Sequence, residues 1–188
     1  MHNLILKNLS FAYGNETVFN DLSLSFESKN IYLLSAPSGR GKTTLLRLIA
    51  GLINQNSGEI VGGGIGKVAF AFQESRLFPA LSALENASVS ASSIDARKML
   101  LSLGFSEEDL LKTPSELSGG MKQRVSLVRA FLSDAPILLL DEPFKELDDK
   151  VRETVYEIIK EMANSKLVIL VSHDLSDAEN LSATVVYL

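Results

Sequence analysis

One ten-residue stretch limits the folds open to this chain. SAPSGRGKTT, residues 35–44, is wedged between the apolar run NIYLLSA and the helix-patterned KTTLLRLIAGL. A short, almost continuous apolar run marks a strand covered on both faces. A turn of small residues leading straight into a helix then predicts an α/β layer, with Gly51 as the helix C-cap. The turn nearly follows the pattern G-x-x-x-x-G-K followed by Ser or Thr, with Ala36 where the first glycine would stand. Gly39 and Gly41 let the backbone curl so that successive N–H groups point inward, as a phosphate cradle requires. The helix starting near Lys42 adds the positive end of its dipole. Lys42 can bridge the β- and γ-phosphates of a nucleotide, and Thr43 can offer its hydroxyl to Mg²⁺. Arg40 occupies a variable slot and is expected to face outward. Glycine at position 36 is needed only where φ is positive or a β-carbon would clash, so Ala36 predicts a negative φ there. The alternative is a glycine-rich turn that binds nothing.

The rest of the chain alternates in the same manner. Leu4 and Leu6, then Leu22, Leu24 and Phe26, repeat with period two and predict an antiparallel sheet at the start. SGEIVGGGIGKVAFAFQ reads as two short strands around a glycine-rich turn, a trimmed hairpin. From Pro79 to about Glu116 the pattern turns helical, with IDARKMLLSLG a helix stopped by Gly104. SGGMKQRVSLVRAFL places Met121, Val125, Val128 and Leu132 on one helical face, and DDKVRETVYEIIKEMA does so for Val151, Val155, Ile158 and Met162. PILLLDE and KLVILVS are buried strands, DLSDAENLS a short helix and ATVVYL a last strand. The expected fold is α/β: a mostly parallel core sheet, an N-terminal antiparallel β part and an inserted helical part at roughly 79–132. In such sheets ligands gather at the carboxyl ends of the strands. Ala36, Gln73, Asp141 and Ser172 all stand at or just past strand ends.

Composition narrows the partners. The net charge of −5 argues against broad electrostatic attraction to nucleic acid or anionic lipid. Zero cysteines exclude disulfides, thiolate metal sites and a cysteine nucleophile. MHNLILKNLSFAYG lacks the apolar stretch of a secretion signal, and the strongest apolar runs are too short to span a bilayer. Sequons at Asn8 and Asn86 therefore read as chance. If the protein works at a membrane, the spanning part is expected in another chain.

A second set of residues bears on the same chemistry. In ILLLDEP an apolar run ends in Asp141 and Glu142, and buried carboxylates without partners are costly. Mg²⁺ would account for Asp141, and Glu142 could then polarise an attacking water. Simple hydration of both acids is the alternative. LSGGMKQR puts Ser118, Gly119 and Gly120 at a helix start, either an anion site or a serine N-cap with a flexible lead-in. Two phosphate-type helix starts in one chain exceed what one nucleotide needs. Two copies facing each other, each loop capping the nucleotide held by the other, would use both. His173 ends a strand at the same sheet edge and suits a γ-phosphate contact. Gln73 can serve as a neutral metal ligand. Tyr13 is either a core aromatic or a face on which adenine stacks.

These residues, in this order and over nearly the whole chain, closely resemble the nucleotide-binding domain of ATP-binding cassette (ABC) proteins. Tyr13 falls at the adenine-stacking aromatic. Ala36, Pro37, Ser38, Gly39, Arg40, Gly41, Lys42 and Thr43 match the Walker A motif, with Thr44 beside it. Gln73 matches the Q-loop, and LSGGM, with Ser118 to Met121, the family signature. ILLLDE matches Walker B, ELD with Asp148 the D-loop, and His173 the switch histidine.

The resemblance implies a single ATP-binding domain over residues 1–188 that binds ATP and Mg²⁺. Thr43, Gln73 and Asp141 would serve the metal, Glu142 as general base, and Lys42, Gln73 and His173 in catalysis. Two domains, identical or related, would close head to tail around two ATP molecules. Hydrolysis would drive integral membrane transporter subunits from the cytoplasmic face, with no nucleic-acid partner. ESRLFPALSALENAS falls where transporters receive the partner's coupling helix, and Leu77, Phe78 and Leu81 either line that groove or pack the helical part. KELD departs from the common S-A-L-D, and the hairpin and C-terminal end are trimmed, but no chemical group is lost. The order FQESRLFPALSALENAS after the Q-loop resembles bacterial importers of small organic or inorganic solutes. Two other readings remain at this stage: a soluble ABC ATPase serving a non-transport machine, and a nucleotide-binding module without turnover.

Overall fold

Alternating apolar strands and amphipathic helices do condense into two sheets with helices packed around them. The computed structural model describes residues 3–37 and 39–188. Ser38, assigned above to the phosphate loop, lies outside the described residues. In chain order the elements are β1 (Leu4–Tyr13), β2 (Glu16–Phe26), β3 (Ile31–Ser35), α1 (Lys42–Ile49), β4 (Ser57–Val61) and β5 (Val68–Ala71). There follow α2 (Ala83–Ala87), α3 (Ser93–Ser102), α4 (Gly119–Phe131), β6 (Ile137–Asp141), α5 (Asp149–Ala163), β7 (Leu167–Val171), α6 (Ser176–Leu181) and β8 (Thr184–Tyr187).

The first sheet is antiparallel, in the order β2-β1-β4. Period two buries Leu4 and Leu6, then Leu9 and Phe11, so the inward parity changes across Asn8. Asn8 takes φ +48°, and the register shifts there, as an extra residue in one strand demands. Its Nδ2 donates to Asp21 Oδ1 at 2.6 Å, and its backbone N–H donates to Ser23 Oγ at 2.9 Å.

The second sheet runs β5-β6-β7-β3-β8, and every described pairing in it is parallel. Both faces are covered, which explains the continuous apolar runs. Leu138 and Leu140 of β6 face a core built from α2 to α6, while Ile137 and Leu139 face a second core shared with α1 and the antiparallel sheet.

Two expectations need correcting. The strands around VGGGIG do not form a hairpin: β4 pairs with β1, and β5 with β6. Polar SGEIV suits an edge strand, whereas VAFA is apolar on both faces and is taken into the covered sheet. On α5 the buried stripe is Val151, Val155, Tyr156 and Ile159, with Ile158 and Met162 only at its margin. A step of four residues from Val155 reaches Ile159, so the face lies one position further round than expected.

Helices α2 to α4 fill the segment between the two halves of the parallel sheet. Helix α2 is held by a capping box, Glu85 N–H to Ser82 Oγ and Ser82 N–H to a Glu85 carboxylate oxygen. Asn86 is fully buried. Its Oδ1 accepts from Phe78 N–H at 2.8 Å, and its Nδ2 donates to the carbonyls of Phe78, Leu81 and Ser82. The sequon at Asn86 is thus a structural amide that fastens the segment after Gln73.

Candidate active site

Parallel topology delivers the functional side chains to one edge. Ala36 follows β3, Gln73 follows β5, Asp141 ends β6, and Ser172 and His173 follow β7. Adjacent parallel strands end together, so these loops share a rim. A cavity of about 350 Å³ opens there, lined among others by Tyr13, Lys42, Thr43, Gln73, Asp141 and His173.

The loop from 35 to 44 has the backbone that its glycines permit. Gly39 and Gly41 take φ +79° and +84°, and Ala36 is not among the described residues with positive φ. Gly41 is required twice over, because a β-carbon there would also collide with Val18 and come within 2.9 Å of Phe19 Cζ. Lys42 is buried, and its Nζ donates to the carbonyls of Ala36 at 2.7 Å and Pro37 at 3.4 Å. Arg40 is exposed, as expected for a variable slot.

The acids sit opposite. Asp141 is 2% exposed and accepts from Thr43 Oγ1 at 3.1 Å. Burial raises its carboxyl above the usual range, opposed by the Thr43 hydrogen bond and nearby cations. Glu142 follows in the left-handed region, φ +53°, held by its N–H to Val171 O at 3.0 Å. Burial raises its carboxyl too, with His173 pulling it down and Asp141 pushing it up. His173 Nε2 stands 3.2 Å from Glu142 Oε1, close enough for an ion pair but without hydrogen-bond alignment, and the buried Oε1 has no donor among the described residues. An orphaned acceptor beside an open cavity fits an ordered donor from outside the chain, such as water.

No three His, Cys, Asp or Glu side chains converge on a metal among the described residues. The Thr43–Asp141 pair fits Mg²⁺ nonetheless, since that ion takes one or two protein ligands and completes its shell with phosphate and water.

The signature residues lie apart. Ser118 caps α4, its Oγ accepting from Met121 N–H at 3.2 Å. Neither Ser118 to Met121 nor Asp148 lines the cavity that holds Lys42 and Glu142. Asp148 instead caps α5, its Oδ1 accepting from Val151 N–H at 3.0 Å. Tyr13 is 48% exposed and stacks edge-on with Phe11 at 4.8 Å, so it is no core aromatic. Of the three residues expected in the partner groove, Phe78 lines an apolar groove of about 420 Å³ between Leu52, Ile65 and Val89. Leu77 packs against the core instead.

Two features escaped the sequence patterns. Val18 and Glu16 line the main cavity because β2 folds back over the phosphate loop. A buried network around Asp177 underlies His173. Only the two acids in SHDLSD hinted at the second.

Known proteins share this arrangement. The family model described as ABC transporter matches residues 19–145. The chain is 34% identical to the ergothioneine transport ATP-binding protein EgtV of Helicobacter pylori (strain G27), over 94% of this chain and 92% of that protein. It is 38% identical to the aliphatic sulfonates import ATP-binding protein SsuB 2 of Pseudomonas syringae pv. tomato, over 91% and 75%. Against the sulfate/thiosulfate import ATP-binding protein CysA of Yersinia pseudotuberculosis it is 34% identical but spans only 56% of that protein's length. A dimeric post-hydrolysis state of an ATP-binding cassette bound to ADP and Pi superposes with TM-score 0.86, at 28% identity, covering 98% of this chain and 94% of that one.

Proposed function

The chain belongs to the ABC transporter family, and from that premise we propose that its two sets of phosphate-binding groups form one working ATP site only between two copies. As an ATP-binding subunit of this family it hydrolyses ATP to drive a transporter. The observation that carries the two-copy reading is the separation on one chain of the Lys42–Glu142 cavity from the Ser118–Gly120 helix start.

In this reading adenine stacks on Tyr13, and the N–H groups from Gly39 to Thr44 cradle the phosphates. Lys42 leaves the carbonyls of Ala36 and Pro37 to meet the β- and γ-phosphates. Thr43 and Asp141, with Gln73, would hold Mg²⁺, which would offset the charge on the phosphate oxygens. Glu142 takes a proton from water as that water attacks the γ-phosphorus and the bond to the β,γ-bridging oxygen breaks, releasing ADP and phosphate, and burial suits its carboxylate to accept that proton. His173 steadies the γ-phosphate and the water. Ser118, Gly119, Gly120 and Met121 of the partner copy present α4 to the same phosphate, with Asp148 beside them.

No helix among the described residues is long and apolar enough to cross a membrane. In this reading the cassette, with a helical part at about 79–132, docks on membrane-spanning transporter subunits at the cytoplasmic face. The Phe78 groove is their docking place: Leu52, Ile65, Phe78 and Val89 are all about half exposed or more. Arg76 and Arg129 line it as well, so the inserted segment is a short helix with an apolar face and an acidic side chain.

The test is Mg²⁺-dependent ATP hydrolysis by the purified chain across a range of concentrations. A rate per chain that rises with concentration and saturates is expected. A constant rate per chain down to the nanomolar range would refute the shared site.

A further inference from the structure

His173 is set by its backbone rather than by packing. Its side chain is 67% exposed, and Glu142 Oε1, 3.2 Å away, makes no aligned hydrogen bond with it. A long lever in solvent is accurate only if the chain on both sides of it is immobile.

Both sides are fastened to one buried carboxylate. Asp177, in the first turn of α6, is 0% exposed. Its Oδ2 accepts from Ser172 Oγ, the residue before His173. The same Ser172 Oγ accepts from the N–H of Asp174, the residue after His173, at 3.1 Å. One hydroxyl thus closes a loop around His173. Asp177 Oδ1 accepts from Tyr156 Oη at 2.5 Å and from Arg152 Nη2 at 2.5 Å, both on α5. Arg152 also reaches Asp174 Oδ2 at 3.1 Å and donates through Nε to Tyr156 Oη at 2.7 Å.

A buried carboxylate is tolerated only when such donors satisfy it. Burial works against the Arg152 charge, but the hydrogen bonds it donates to Asp177 and Tyr156 outweigh it and hold the guanidinium above its usual value.

We propose that Ser172 and Asp177 are positioning residues for ATP hydrolysis, clamping the backbone on both sides of His173 to helix α5. The proposal rests on the reading of His173 as a group that steadies the γ-phosphate. Arg152 stands one turn after Asp148, the N-cap of α5, so the anchor of the loop is the helix that starts at the dimer-facing D-loop.

The test is steady-state ATP hydrolysis by the full chain at saturating protein concentration, for Ser172→Ala, Ser172→Thr, His173→Ala and the double variant Ser172→Ala with His173→Ala. Ser172→Ala is expected to lower kcat by about 10- to 100-fold with KM for ATP unchanged. Ser172→Thr keeps the hydroxyl and is expected to restore the rate. Because Ser172 acts through His173, the double variant is expected to be no slower than His173→Ala alone. Tyr156→Phe, which removes one donor to Asp177 but keeps the ring, provides the same comparison should Ser172→Ala melt early. It too is expected to slow the wild-type background and not the His173→Ala background. Loss of equal size in both backgrounds, or a normal kcat in Ser172→Ala where His173→Ala is slow, overturns the clamp. A normal kcat in His173→Ala itself overturns the underlying reading of that histidine.

Discussion

Glu146 lies across the start of α4: its carboxylate rests against Gly119, and its carbonyl oxygen stands where a β-carbon at Gly120 would come within 2.6 Å. Glu146 reaches that position with φ +62°. The two glycines of the signature therefore differ in what excludes a side chain. At Gly119 the obstacle is the far end of a flexible side chain, and at Gly120 it is backbone. Gly120→Ala is expected to cost about 1–3 kcal/mol of stability, and Gly119→Ala markedly less, as read by urea denaturation.

The same contact places a negative charge at the positive end of α4, where the partner's phosphate docks in the two-copy reading. Closure then requires Glu146 to move or to oppose the incoming anion. Glu146→Ala is expected to shift ATP-dependent dimerisation to a few-fold lower chain concentration, measured by sedimentation velocity. An unchanged midpoint would mean that the side chain swings aside without cost.

Glu142→Gln keeps the shape of the side chain but removes its ability to take a proton. Turnover is expected to fall by about 10²- to 10⁴-fold while ATP binding persists. With hydrolysis blocked, the route of opening by ATP cleavage is removed and the ATP-bound pair accumulates. A dimer peak on size exclusion with ATP is the expected outcome, and a monomer profile would count against the shared site.

Lys42 Nζ donates to two loop carbonyls, and in the proposed ATP-bound state it exchanges them for phosphate oxygens. Lys42→Ala is expected to weaken ATP binding by about 10- to 100-fold, the loss typical of a charged hydrogen bond. Titration calorimetry checks this, and unchanged affinity would remove Lys42 from the site.

The Asn86 side chain bonds four backbone groups, the N–H and carbonyl of Phe78 and the carbonyls of Leu81 and Ser82, from a fully buried position. Asn86→Ala is expected to destabilise the fold by about 1–3 kcal/mol. The groove at Phe78 should loosen with it, seen as faster amide exchange from 78 to 82. Slower or equal exchange would show that the segment is fastened elsewhere.

Much of this architecture could be read from residue patterns. Continuous runs such as ILLLD and LVILV announce strands covered on two faces, and that is where β6 and β7 lie. The backbone at Gly39, Gly41 and Lys42 was equally legible, because the positive φ of the two glycines and the helix starting at Lys42 depend on neighbours in sequence. Period and motif report how a residue stands relative to its own element, and such properties are set within a few residues.

Which elements meet is decided by long-range packing. No pattern in SGEIVGGGIGKVAFAF says that its two strands join different sheets. None says that Val18 closes over Gly41, that Glu146 covers Gly119, or that Arg152 and Asp177 meet from α5 and α6 under His173. Each of these contacts joins side chains far apart in the chain or brought together by a turn whose direction the core dictates. Their free energy is gained only once the sheet has formed, and so only the folded chain contains them.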